Sequence, residues 1–140
     1  MNIEQTLSRM RAIATQEGLP FGDRRKTFNS RLAQELGLWA ESCGRGEAFH
    51  DKAFRAYFVD GKNIARMPVL LDLAESAGLP RSDAAQVLSE KKFAAAVDAD
   101  WALARQVQVV AVPTFMIGSE RLVGAQTYEK LERFVMANGI

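Results

Sequence analysis

The ten residues VVAVPTFMIG, positions 109–118, constrain this chain more than any other stretch. Before them apolar residues return every three or four positions. Here a β-branched run takes over and carries a proline. Proline cannot donate to a sheet ladder and pushes the residue before it toward extended geometry, so Val112-Pro113 marks the start of a strand. The pattern predicts one strand over 113–118, a turn at Ser119-Glu120 and a second strand over 121–124, a hairpin signalled by Gly-Ser. An X-Pro bond is also the peptide bond that turns cis at modest cost. Two readings of Pro113 fit the residues: a cis bond that bares neighbouring backbone groups to a ligand, or an ordinary trans proline opening a strand.

Everything upstream reads as helix. Ile3, Leu7, Met10, Ile13 and Ala14 form one apolar face over 3–16, and Gly18-Leu19-Pro20 stops it. The segment FGDRRKTF that follows is a loop or a short edge strand, with Arg24, Arg25 and Lys26 on a solvated turn beside Asp23. A helix over 30–42, capped by Asn29 or Ser30 and ended by Gly44, carries Phe28, Leu32, Leu36, Trp39 and Cys43 along one stripe. The next, over 47–59, puts Phe49, Ala53, Phe54, Tyr57 and Phe58 on a broad face. Pro68 opens a fourth, with Val69, Leu70, Leu73, Ala74 and Ala77 apolar and Gly78-Leu79-Pro80 at its end. Pro80 and Asp83 open a short helix through Leu88, and Phe93, Val97, Trp101, Ala104 and Val107 predict a long one over 91–107. After the hairpin, Thr127 caps a last helix with Tyr128, Leu131, Phe134 and Val135 inward, finished by Asn138-Gly139.

A lone hairpin is marginal in water, and this one carries Phe115, Ile117, Leu122 and Val123 that need cover. Helices can cover its faces. They cannot supply the backbone partners that an open strand edge seeks. The pattern therefore asks for more strands than the sequence contains, and predicts a homodimer with edge strands paired or elements exchanged.

A chain of 140 residues is one domain by the usual size relation, and 48% hydrophobic with 25% charged residues is an ordinary globular composition. A net charge of +1 gives no field to hold a polyanion, which argues against nucleic acid or an anionic membrane as a partner. No stretch has the length of a membrane span, and MNIEQTLSRMRAIATQ lacks the apolar core of a signal peptide, so a cytoplasmic location is expected. One cysteine excludes an internal disulfide, and with one histidine it cannot make an ordinary structural zinc site. No metal and no cofactor is implied.

The order of these pieces resembles a known family. FNSRLAQELGLWA, GEAFHDKAFRAYFVDGKNI, VLLDLAESAGL and VQVVAVPTFMIGSERLVGAQTYEKLERF together resemble the DsbA family of thioredoxin-like oxidoreductases, in its FrnE-like branch. That branch is related to 2-hydroxychromene-2-carboxylate isomerases and kappa-class glutathione transferases. The resemblance spans about residues 19–138. It implies a helix-rich α/β fold in which a helical insertion over about 28–107 precedes a thioredoxin-like β-β-α segment over about 108–140. It further implies a cis Val112-Pro113 bond, with Val112, Pro113 and Thr114 contacting substrate: an extended polypeptide thiol or disulfide, or glutathione, paired to the backbone before the proline.

The departure is as informative. The family's catalytic part is an N-terminal strand followed by C-x-x-C, and this sequence has neither. The expectation is a thioredoxin-like fold lacking its N-terminal catalytic half, with little or no thiol–disulfide activity of its own. The alternatives are a non-catalytic module binding peptide or glutathione at the proline loop, or a structural helical adaptor.

Cys43 is the one candidate nucleophile, and its place on the stripe with Leu36 and Trp39 predicts a packed core thiol. His50, beside Asp51 and Lys52, is expected at the surface or its boundary. Trp39, Phe49, Phe54, Tyr57, Phe58 and Trp101 have the spacing of core residues rather than of a ligand groove. Glu35, Glu41, Asp98 and Asp100 show no positioned mate, so no acid/base pair is predicted.

Overall fold

The computed structural model describes residues 3–23 and 25–139, and of residue 3 the backbone alone. The apolar-face reading of Ile3 and the solvated-turn reading of Arg24 lie outside the described parts. Within the described residues six helices precede a two-stranded antiparallel sheet in the chain and one follows it. The chain divides into one unit ending at Val97 and a second beginning at Asp98.

The first unit is helical. It contains α1 (Ile3–Gln16), α2 (Arg31–Ser42), α3 (Gly46–Phe58), α4 (Met67–Ser76), α5 (Arg81–Ser89) and the start of α6 (Ala94–Gln106). Helices α2 to α5 close on one core, with Leu36, Ala40, Phe49, Leu70, Ala74 and Ala84 fully buried. Large side chains such as Leu36, Phe49 and Leu70 each contribute roughly 1.5–3 kcal/mol when buried, while the alanines let the helix backbones approach. Pro68 stands in the first turn of α4, where its missing N–H costs nothing. Gly78, at φ +81°, ends that helix as a residue with a side chain could not cheaply do.

The segment after α1 is loop throughout its described part, not an edge strand. Its anchor is Gly22, whose N–H donates to the Phe58 carbonyl at 2.9 Å. A Cβ on Gly22 would stand 1.9 Å from the Val59 oxygen, so only glycine allows this approach. On α2, the Asn29 side chain accepts the Arg31 N–H at 2.8 Å, while Ser30 occupies the cap position without a side-chain bond to the backbone.

The second unit holds the rest of α6, then β1 (Thr114–Ile117), β2 (Glu120–Val123) and α7 (Tyr128–Ala137). The register pairs Thr114 with Val123, Phe115 with Leu122, Met116 with Arg121 and Ile117 with Glu120. The turn is therefore Gly118-Ser119, one residue earlier than the sequence pattern predicts. Gly118 takes φ +58° and Ser119 does not take a positive φ, the arrangement of a type II′ turn with glycine first.

None of the described residues from Asp98 onward is buried. That corrects two expectations. Tyr128 of α7 is exposed rather than inward, and Val135 is also exposed, leaving Leu131 and Phe134 half-buried. Trp101 is 42% exposed rather than core. The reason is common to both: a two-stranded sheet offers too little apolar surface to cover helices of this length.

Candidate functional site

The backbone around Pro113 is built by the end of α6 and the start of the hairpin. Gln108 adopts φ +57° and ends the helix, and the Val109 N–H closes it on the Ala104 carbonyl at 2.9 Å. The chain then runs through Val110, Ala111 and Val112 with no backbone bond to other described residues except at the Ala111 carbonyl, which the Thr114 hydroxyl caps at 2.6 Å. The Val112-Pro113 peptide bond is cis. Past it, the Pro113 carbonyl accepts the Gly124 N–H at 2.7 Å, which joins the loop to the ladder. Arg121 ties the same region together, donating to the Val107 carbonyl at 2.8 Å.

The flanking carbonyls at Ala111 and Pro113 are thus occupied, and Val112 between them is 86% exposed. Neither its N–H nor its C=O has a partner among the described residues. A donor and an acceptor on one exposed residue, held between fixed neighbours, are what an incoming extended chain needs for a short β-type pairing.

Cys43 lies elsewhere, in the helical unit, and it is exposed. This corrects the packed-core expectation. Helix α2 ends at Ser42, Cys43 is the capping residue and Gly44 turns the chain at φ +69°, so the helix stops one residue short of the thiol and its buried line ends at Ala40. The Ser42 hydroxyl stands 4.0 Å from the sulfur.

His50 sits at the boundary of the helical unit, its Nε2 2.9 Å from Glu41 Oε1 across the α2–α3 interface. Gly37 makes room for the ring: a Cβ there would lie 3.0 Å from His50 Cε1. Phe54 is 60% exposed, contrary to the core reading. On α3 the buried line runs through Phe49 and Ala56, seven residues apart, and Phe54 is turned well away from it. Trp39 and Phe49 are buried as expected, and Tyr57 and Phe58 are half-buried.

Two carboxylates have mates that the sequence reading missed. Glu35 is 4% exposed and accepts the Arg31 Nε–H at 2.8 Å. The spacing of four between them was a usable signal. The Glu41–His50 contact joins two helices and had no such local signal. Neither pair adjoins a metal-binding group: among the described residues no three His, Cys, Asp or Glu side chains are placed to hold an ion. Nor is any described helix long and apolar enough to cross a membrane.

Comparison with known proteins bears on the whole chain. The model of the DSBA-like thioredoxin domain matches residues 2–135. The chain belongs to the DsbA-like thioredoxin-domain family. Its fold agrees with the crystal structure of a probable DsbA oxidoreductase from Streptomyces coelicolor, with a TM-score of 0.83 and 28% identity over 99% of this chain. This DsbA-like chain corresponds to 62% of that protein. It is also 27% identical over 105 residues to the uncharacterized protein YwbO of Bacillus subtilis, a match covering 74% of this chain and 52% of YwbO. The DsbA-like chain therefore spans about half the length of that relative.

Proposed function

We propose that this DsbA-like chain holds an extended polypeptide bearing a thiol or disulfide, or the tripeptide glutathione, along Val112, Pro113 and Thr114. The single observation that supports the reading most is the exposed Val112, whose N–H and C=O have no partner among the described residues and stand between two occupied carbonyls. Membership of the DsbA-like family supports a thiol or disulfide as the substrate class. The role of each residue follows from its backbone: Val112 pairs with the ligand, Pro113 fixes φ, and Thr114 holds the Ala111 carbonyl out of competition.

Catalytic turnover of a dithiol kind requires two cysteines, and the sequence contains one. The reading is accordingly a substrate-holding module with little or no thiol–disulfide turnover as this chain, acting in the cytoplasm. Titration calorimetry with reduced glutathione and with an extended cysteine-containing peptide tests it. Saturable binding that weakens in Pro113→Ala supports the reading, and absence of binding by both ligands overturns it.

The exposure of Cys43 favours a second reading. A solvent-accessible monothiol can attack a disulfide, forming a mixed disulfide and releasing the other sulfur as a thiolate. That chemistry would use the helical unit and not the proline loop.

A further inference from the structure

Helix α7 stops on Asn138-Gly139, and each residue has its own part in the stop. Gly139 takes φ +77°, the left-handed conformation that ends helices and that a side chain disfavours. Asn138 is the cap. Its backbone N–H turns to the Val135 carbonyl at 3.1 Å, and its side-chain Nδ2 donates to the Phe134 carbonyl at 2.7 Å. The side-chain amide thus supplies the donor that this carbonyl would otherwise lack at a helix end.

The same dipeptide is chemically labile. The amide carbon of an asparagine is open to attack by the backbone nitrogen of the next residue, and glycine, with no Cβ, crowds that approach least. A bond forms from the Gly139 nitrogen to Asn138 Cγ, the Cγ–Nδ2 bond breaks, and Nδ2 leaves as ammonia with the proton of the Gly139 N–H. Water then opens the resulting succinimide at either carbonyl, to aspartate or to isoaspartate. Of the four asparagines, Asn138 alone precedes glycine; Asn2 and Asn63 precede isoleucine and Asn29 precedes serine.

In the folded chain the ring cannot close. Closure needs the Gly139 nitrogen nearly eclipsed with the Asn138 Cβ, whereas at ψ 14° it is nearly eclipsed with the Asn138 nitrogen. The Gly139 N–H is also donated to the Met136 carbonyl at 3.3 Å, and Nδ2 is held at Phe134. Opening the last turn removes all three obstacles together.

We infer that Asn138 is a site of spontaneous deamidation gated by the last turn of α7, and that the conversion loosens that turn. The product carboxylate cannot donate to the Phe134 carbonyl, and it brings negative charge to the helix end that disfavours it. Isoaspartate also lengthens the main chain within the cap, so the Gly139-to-Met136 bond cannot re-form in its present geometry. Each event lowers the net charge of +1 by one. The inference uses bonds within a single turn and is independent of what the proline loop binds.

Incubation of the whole chain at neutral pH, with peptide mapping and isoaspartate quantified at each asparagine, tests the site. Aspartate and isoaspartate are expected to accumulate at Asn138 ahead of Asn2, Asn29 and Asn63, and about tenfold faster in urea than in the native protein. Gly139→Ala should slow Asn138 to the pace of the other three in urea, where no helix remains for the substitution to disturb. No conversion at Asn138 in either condition overturns the site, and equal rates in buffer and urea overturn the gating. Amide exchange tests the consequence. Asn138→Asp, corrected for the effect of the new side chain on intrinsic exchange, should speed exchange at Gly139 by about threefold. Unchanged exchange there overturns the loosening.

Discussion

The Pro113 carbonyl and the Gly124 N–H are bonded at 2.7 Å, one pair beyond Thr114 and Val123. This bond ties the proline loop to the sheet, and it depends on Gly124 at φ +87°. A residue with a Cβ pays roughly 1–2 kcal/mol in that conformation. Gly124→Ala is therefore expected to speed amide exchange at Phe115 and Leu122 by about tenfold, the kinetic equivalent of that cost. Unchanged exchange would show that the loop is held by other bonds.

In the helical unit, Arg31 and Glu35 form a largely buried pair at 2.8 Å, and Arg31 also donates to the Ala94 carbonyl at 2.8 Å. Arg31→Met leaves the Glu35 carboxylate buried without its charge partner and is expected to cost about 3 kcal/mol. Glu35→Gln keeps an acceptor oxygen for the Arg31 Nε–H and should cost less. Urea unfolding of the three proteins orders them.

Cys43 is exposed, so its thiol should react with a disulfide reagent in the folded protein, one equivalent per chain. Cys43→Ser should change stability by no more than about 0.5 kcal/mol, as for other surface positions. In dithiothreitol-driven insulin reduction, activity present in the wild type and lost in Cys43→Ser would favour the monothiol reading. Activity at the buffer level in both would favour the substrate-holding one.

The Glu129 carboxyl is held below the ordinary glutamate range, first by its own backbone N–H and then by the Thr127 side chain, at the start of α7. Negative charge there also suits the helix dipole. Because the folded-state value is depressed, the stabilisation is present above the unfolded-state value and is lost as pH falls through the folded one. A carboxyl titration followed by NMR should place the Glu129 midpoint below that of an exposed glutamate. Thr127→Ala should move it part of the way back.

Much of this was legible from the residues, and the exceptions share a cause. Helix positions came from local chemistry: Pro68 at a first turn, Gly44 and Gly78 at helix ends, the run after Val112 as a strand. Failures came where burial had to be guessed from spacing alone. Cys43 and Phe54 sit near an apolar stripe, but one lies past the last helical residue and the other is turned off the buried line. Tyr128 and Trp101 have core spacing in a unit too small to bury them. The open Val112 amide is invisible to any pattern, because it depends on where Thr114 and Gly124 place their own bonds.

The most direct test of the central claim is an amide-resolved NMR titration with reduced glutathione and with an extended cysteine-containing peptide. The account predicts that the Val112 amide and its neighbours at Ala111 and Thr114 shift most, saturably, and that Pro113→Ala weakens the response. Shifts absent at these residues, or confined to the surroundings of Cys43, would contradict it.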